Sequence, residues 1–196
     1  MKINLKQAEF LIKLARKAIY GDLKKDEYKK EIGHFYEEKR GVFVTLYYYP
    51  KKELRGCVGI PYPTFILGEA IIKAAKESAF HDPRFGPLDI REELDKIIIE
   101  ISILTVPKEV IIKNENDLNK IKIGKDGLLI SKGYYSGLLL PQVATEFNMQ
   151  EKEFLEETCR KAGLSREAWK EKDCKIFKFQ AQIFSEIEPN GKIKKK

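Results

Sequence analysis

Apolar positions change their period along this chain, and each change marks a predicted element. Ala8, Leu11, Leu14, Ala15, Ala18 and Ile19 recur at helical spacing. Asn4 followed by Gln7 resembles a capping box, and Gly21 ends that first helix. The period then shortens: Val42 to Tyr49 is rich in β-branched and aromatic residues, which predicts a strand. Lys51-Lys52 reads as a turn before a second strand around Arg55 to Ile60. Pro61, Tyr62 and Pro63 break it, and Thr64 is placed to cap a helix running to about Ala79. Ile97 to Thr105 is apolar at nearly every position, so both faces of this third strand are expected to be covered.

After Pro107 the apolar runs become shorter. The spacing predicts a strand at Val110 to Ile112, a helical turn at Asp117 to Lys120, and strands at Leu128 to Ser131 and Leu138 to Leu140 around a turn with Gly133. Helices follow at Gln142 to Phe147 and at Glu151 to Ala162, the latter closed by Gly163. Ser165 precedes a short helix containing Trp169. Strict alternation of Phe177, Phe179, Ala181 and Ile183 predicts one closing strand, Lys175 to Ile187, and a frayed lysine tail after Gly191.

Strands and helices mix without regular βαβ alternation, which predicts an α+β fold with mainly antiparallel sheets. The breakpoints suggest a larger subdomain, residues 1–106 plus 170–196, that holds both termini. Residues 107–169 would form a smaller inserted subdomain, and two such connections commonly leave a ligand-binding cleft.

Composition narrows the setting. Of 196 residues, 43% are hydrophobic and 34% charged, the balance of a globular chain with a heavily charged surface. Abundant Lys and Ile with little Gln hint at a hot environment. The net charge is +7, but Lys192, Lys194, Lys195 and Lys196 supply four of it, leaving +3 for the rest. That weakens the case for a nucleic-acid protein, which would rest on the tail and a basic surface. The most apolar run, Ile97 to Leu104, is too short to span a bilayer and contains Glu100. Without a targeting signal, and with only Cys57, Cys159 and Cys174, the chain reads as cytoplasmic and soluble, with no membrane partner.

Three segments carry a resemblance. Leu54-Arg55-Gly56-Cys57-Val58-Gly59 is similar to the Leu-Arg-Gly-Cys-Ile-Gly signature of the AMMECR domain family, with Val58 in place of the usual Ile. Ser78 to Leu88 contains a block, Asp82-Pro83-Arg84-Phe85, that resembles the family's second motif. Leu139 to Ala144, followed by Phe154-Leu155, Cys159 and Lys161 to Leu164, resembles the third. The resemblance implies a two-part α+β domain with the signature on a strand and its preceding loop, facing a cleft.

Two functions compete on these residues. The leading one is recognition of a large partner, a protein or a nucleic acid, in a cleft lined by Leu54, Arg55, Gly56, Val58, Gly59, Asp82, Arg84, Tyr135 and Gln142. The alternative is an enzyme with Cys57 as nucleophile in a transfer or hydrolytic step, and Arg55 lowering its pKa. Alternation puts Arg55 and Cys57 on one strand face. Only His34 and His81 could serve as base, and a Cys57–His81–Asp82 arrangement is conceivable. The plainer reading makes Cys57 and Cys159 packing residues and Asp82 to Phe85 a turn, with Arg84 in an ion pair. Neither ligand spacing for a metal nor a glycine-rich phosphate loop occurs, so no cofactor is expected.

Overall fold

The computed structural model describes residues 2–21 and 38–196; His34 lies outside the described residues. The chain divides into two compact units, Met1–Ile103 with Gln182–Lys196, and Leu104–Ala181. Each has its own sheet and its own apolar core, as the α+β expectation requires.

In the first unit the capping box forms as its residues predict. Asn4 Oδ1 accepts from Gln7 N–H at 3.0 Å, Gln7 Oε1 accepts from Asn4 N–H at 2.8 Å, and helix α1 runs Leu5–Tyr20. Strands β1 (Val42–Tyr48), β2 (Glu53–Ile60) and β3 (Ile97–Leu104) join β8 (Ala181–Glu186) and β9 (Ile193–Lys195) in the order β2-β1-β3-β8-β9. The pairings β1–β2, β1–β3 and β8–β9 are antiparallel. Val42, Val44 and Leu46 of β1 and Ile97, Ile99, Ile101 and Ile103 of β3 form one core with α1 and with helix α2, Leu67–Phe80. Burying this many branched side chains, at roughly 1.5–3 kcal/mol each, is what holds helices to sheet.

In the second unit β4 (Lys108–Glu109), β5 (Gly127–Lys132), β6 (Tyr135–Leu139) and β7 (Lys175–Phe179) lie in the order β4-β7-β5-β6. Helices α4 (Pro141–Glu146) and α5 (Glu151–Lys161) follow β6; α3 is a single turn, Ile90–Glu93, in the first unit. Phe154, Leu155, Cys159 and Trp169 are fully buried with Leu128 and Ile130, so Cys159 is a packing residue.

Several expectations change. The run predicted as one closing strand is two, β7 and β8, which break at Gln180 and enter different sheets. At the break Gln180 exchanges hydrogen bonds with Thr105, through its N–H to Oγ1 (2.9 Å) and its C=O to the Thr105 N–H (2.8 Å). This places β7 in the second unit, Leu104–Ala181. The lysine tail is paired rather than frayed: Phe184, Ser185 and Glu186 take Lys195, Lys194 and Ile193 as partners. Helix α2 begins at Leu67, because an Ile66–Lys39 bridge and a Leu67 N–H bond to Glu38 C=O hold the chain extended past Thr64. The short strand falls at Lys108–Glu109, and Ile112 turns into the core instead.

Candidate functional site

The signature forms β2, an edge strand of the five-stranded sheet. Gly56 is required there by space: a Cβ on it would lie 2.1 Å from the backbone oxygen of Ser78 on α2. That close approach lets the Ser78 hydroxyl accept from Val58 N–H (2.8 Å) and donate to Val44 C=O (2.7 Å). Val44 and Val58 are cross-strand partners, so the hydroxyl spans the ladder at that rung.

The register between β1 and β2 slips at Leu46/Tyr47: Leu46 faces Gly56 and Tyr47 faces Leu54. Arg55 is the extra residue of a β-bulge, which overrides the alternation that would set it beside Cys57. Its guanidinium turns to Glu93, with Nε 2.8 Å from Oε1 and one NH2 group 3.2 Å from Oε2, and also donates to Gly86 C=O at 3.0 Å. The Tyr48 hydroxyl donates to the same carboxylate. Arg55, the Tyr48 hydroxyl and the Asp89 N–H together bring Glu93 down to about 2. Arg55 is thus a buried structural ion pair and not the residue that tunes Cys57.

Cys57 is tuned by others. It faces Thr45 across the ladder, with Sγ 3.2 Å from Oγ1. Its N–H donates to Asp82 Oδ2 (2.8 Å) and its C=O accepts from Arg84 (3.0 Å), so the strand's outward backbone groups are capped at this residue. Asp82 is buried and takes Arg84 in fork geometry, with Nε at 3.0 Å on Oδ1 and an NH2 group at 2.7 Å on Oδ2. Arg84 therefore holds the Asp82 carboxyl well below the usual carboxylate range. The turn expected at Asp82 to Phe85 is present, since Asp82 also accepts from Arg84 N–H and Phe85 N–H. Burial pushes the Cys57 thiol up; Thr45 and Arg84 oppose the shift, while Asp82 and Glu100 add to it.

The conceivable triad is not assembled. His81 Nδ1 is 3.5 Å from Glu77 on the solvent side, and the Asp82 oxygens are occupied by Arg84 and backbone N–H groups. Phe85 links the two arginines, its ring centre 5.9 Å from the Arg55 Cζ and 5.5 Å from that of Arg84. The first unit thus gathers Arg55, Gly56, Cys57, Val58, Asp82 and Arg84 around one edge strand. Leu54 and Gly59 share the face of Cys57, Leu54 exposed and Gly59 leaving room for the Phe43 ring. Tyr135 and Gln142 lie in the second unit, Tyr135 exposed on β6 and Gln142 on α4.

Sequence reasoning missed Thr45, Ser78, Glu93 and Glu100 as parts of this neighbourhood. Glu100 pairs with Thr45 from the β3 side, so Cys57, Thr45 and Glu100 form a row across three strands. The readable signal was a carboxylate inside a mostly apolar strand, because such a group stays buried only with a partner. Among the described residues no three His, Cys, Asp or Glu side chains group as a metal site would need. No described helix is long and apolar enough to cross a membrane.

An antiparallel α+β domain with a capped signature strand defines the class, and sequence comparison agrees with it. The AMMECR1 family model matches residues 12–184, and the chain belongs to that family. It is similar to Protein PH0010 of Pyrococcus horikoshii, 49% identical over all of this chain and 97% of the relative. Protein MJ0810 of Methanocaldococcus jannaschii is 45% identical over 97% of this chain and 96% of its own. The crystal structure of the uncharacterized protein PH0010 matches with a TM-score of 0.90 and 48% identity, covering 100% of this chain and 99% of that one. These relatives are archaeal proteins from thermophiles.

Proposed function

We propose that this chain is a recognition protein that holds a protein partner at the edge of the signature strand. The observation behind the reading is Arg84. It is fixed by bonds to Asp82 and to Cys57 C=O, yet 54% of its side chain is exposed. A guanidinium held in place before binding loses little conformational freedom on contact, and arginine is enriched among residues that dominate interface energies. Leu54, exposed on the same strand, offers apolar area beside it. A protein is favoured over nucleic acid because Lys196, part of the basic tail, is engaged with Glu100.

The test compares material retained by the immobilised wild-type chain and by Arg84→Ala, after checking that both melt alike. A species lost from Arg84→Ala and resistant to nuclease supports the reading. An identical retained set sinks it, and a set that disappears with nuclease transfers the site to nucleic acid.

The second reading, Cys57 as nucleophile in a transfer or hydrolytic step, draws on the Thr45 hydroxyl and the Arg84 charge near the sulfur. Against it stand the burial that raises the thiol and the engagement of His81 with Glu77. Alkylation of Cys57 against pH, with Cys159 and Cys174 replaced by serine, separates the two. The thiol should titrate above the ordinary value of about 8.5; a midpoint well below it would restore the enzyme.

A further inference from the structure

The row that starts at Cys57 ends on a buried acid whose counter-charge comes from the far end of the sequence. Glu100 sits on the central strand β3, 4% exposed. Lys196 follows β9, its N–H donating to Ile183 C=O at 3.0 Å, and its ammonium meets Glu100 Oε2. The same ammonium lies 5.9 Å from the ring centre of Tyr47. Tyr47 is two residues from Thr45, the cross-strand partner of Glu100, so ring and carboxylate flank one spot on one sheet face. A carboxylate beside an aromatic face is the chemistry that recognises alkylammonium groups.

Two features separate this pair from an ordinary structural bridge. In the pair Arg16–Glu186 both side chains are buried, whereas the Lys196 side chain is 40% exposed over a Glu100 side chain that is 5% exposed. The ammonium therefore enters from solvent. The second feature is the Tyr47 ring beside the carboxylate, so a charge and an aromatic face together hold the cation. One ammonium can then replace another.

We infer that the Glu100–Tyr47 spot is a binding site for a primary alkylammonium, filled in cis by Lys196. The incoming group would be a polyamine or a lysine side chain of another protein, which present the same chemistry. This site goes beyond the partner reading and does not depend on Arg84.

The experiment titrates n-butylammonium chloride into the full chain carrying Lys196→Met and follows the amide NMR signals of Thr45, Tyr47 and Glu100. Saturable shifts are expected, with affinity about tenfold or more weaker in the wild-type chain, where the tethered lysine competes at roughly millimolar effective concentration. They should vanish when Glu100→Gln is added. Equal affinity in the wild type, shifts that survive Glu100→Gln, or the same response to sodium or tetramethylammonium chloride would overturn the site. Spermidine binding more tightly than Nα-acetyl-lysine amide identifies a polyamine, and the reverse order a protein lysine. Should Lys196→Met not fold, the wild-type chain carries the test: at higher butylammonium concentration the same Thr45, Tyr47 and Glu100 amides must still shift saturably, and their failure to do so overturns the proposal. Throughout, Arg84→Ala should bind the amine normally, so failure here and failure of the partner reading are distinguishable.

Discussion

The two units solve the same packing problem with different materials. The second fills its core with apolar groups, Trp169 and Phe154 above all, and buries one carboxylate, Asp126, against Lys178 and Gln180. The first buries charge repeatedly: Arg16 with Glu186, Arg55 with Glu93, Asp82 with Arg84 and Glu100 with Lys196. Both use a glycine where a helix meets an edge strand, Gly56 under Ser78 and Gly137 under Ala162. The lesson is that charged residues near a signature are not thereby reactive. Three of these four pairs surround Cys57 or its row, and each charge already has a partner.

Removing one member of a pair in which both side chains are buried, as in Arg16–Glu186, should give the largest effect. Arg16 donates to Glu186, Leu94 C=O and Ile97 C=O, so Arg16→Ala strands a carboxylate and should lower stability by about 3–5 kcal/mol. Thermal denaturation should place it level with Trp169→Ala in the apolar unit, also about 3–5 kcal/mol. The comparison sharpens if Arg16→Met with Glu186→Leu recovers most of the loss, since apolar replacement of a buried pair is often neutral.

Next come the glycines. Gly56→Ala and Gly137→Ala would each set a Cβ against backbone, 2.1 Å from Ser78 O and 2.4 Å from Ala162 N. Each should cost about 1–3 kcal/mol or more. Hydrogen exchange should show the loss near β2 and α2 in one case and near β6 and α5 in the other. Loss in the same segments for both would break the two-unit comparison.

Acid probes the first unit through Glu93. Glu93 is held down at about 2 against an ordinary 4.5, chiefly by Arg55. Its contribution is complete above pH 4.5 and is lost as pH falls from there through about 2. Glu93→Gln should therefore be destabilised at neutral pH and flatter than wild type across that window in chemical denaturation. The smallest effect belongs to the surface. Lys152 and Glu115 are 2.6 Å apart and solvated, so Lys152→Ala should melt close to the wild type.

Much of this was legible in order along the chain. The capping box at Asn4, the apolar strand at Ile97, the Gly163 helix end and the Asp82 turn each depend on neighbours within a few residues. Sequence by itself therefore determined the fold class, the family and the address of the signature strand. Tertiary structure decided what those residues do. The bulge at Arg55 depends on pairing with β1, and the split at Gln180 depends on which sheet offers each half a partner. Glu93 and Lys196 find Arg55 and Glu100 from 38 and 96 positions away. Local periodicity reports which way a side chain points from its own backbone, but a buried charge is satisfied only by whatever the completed fold brings to it.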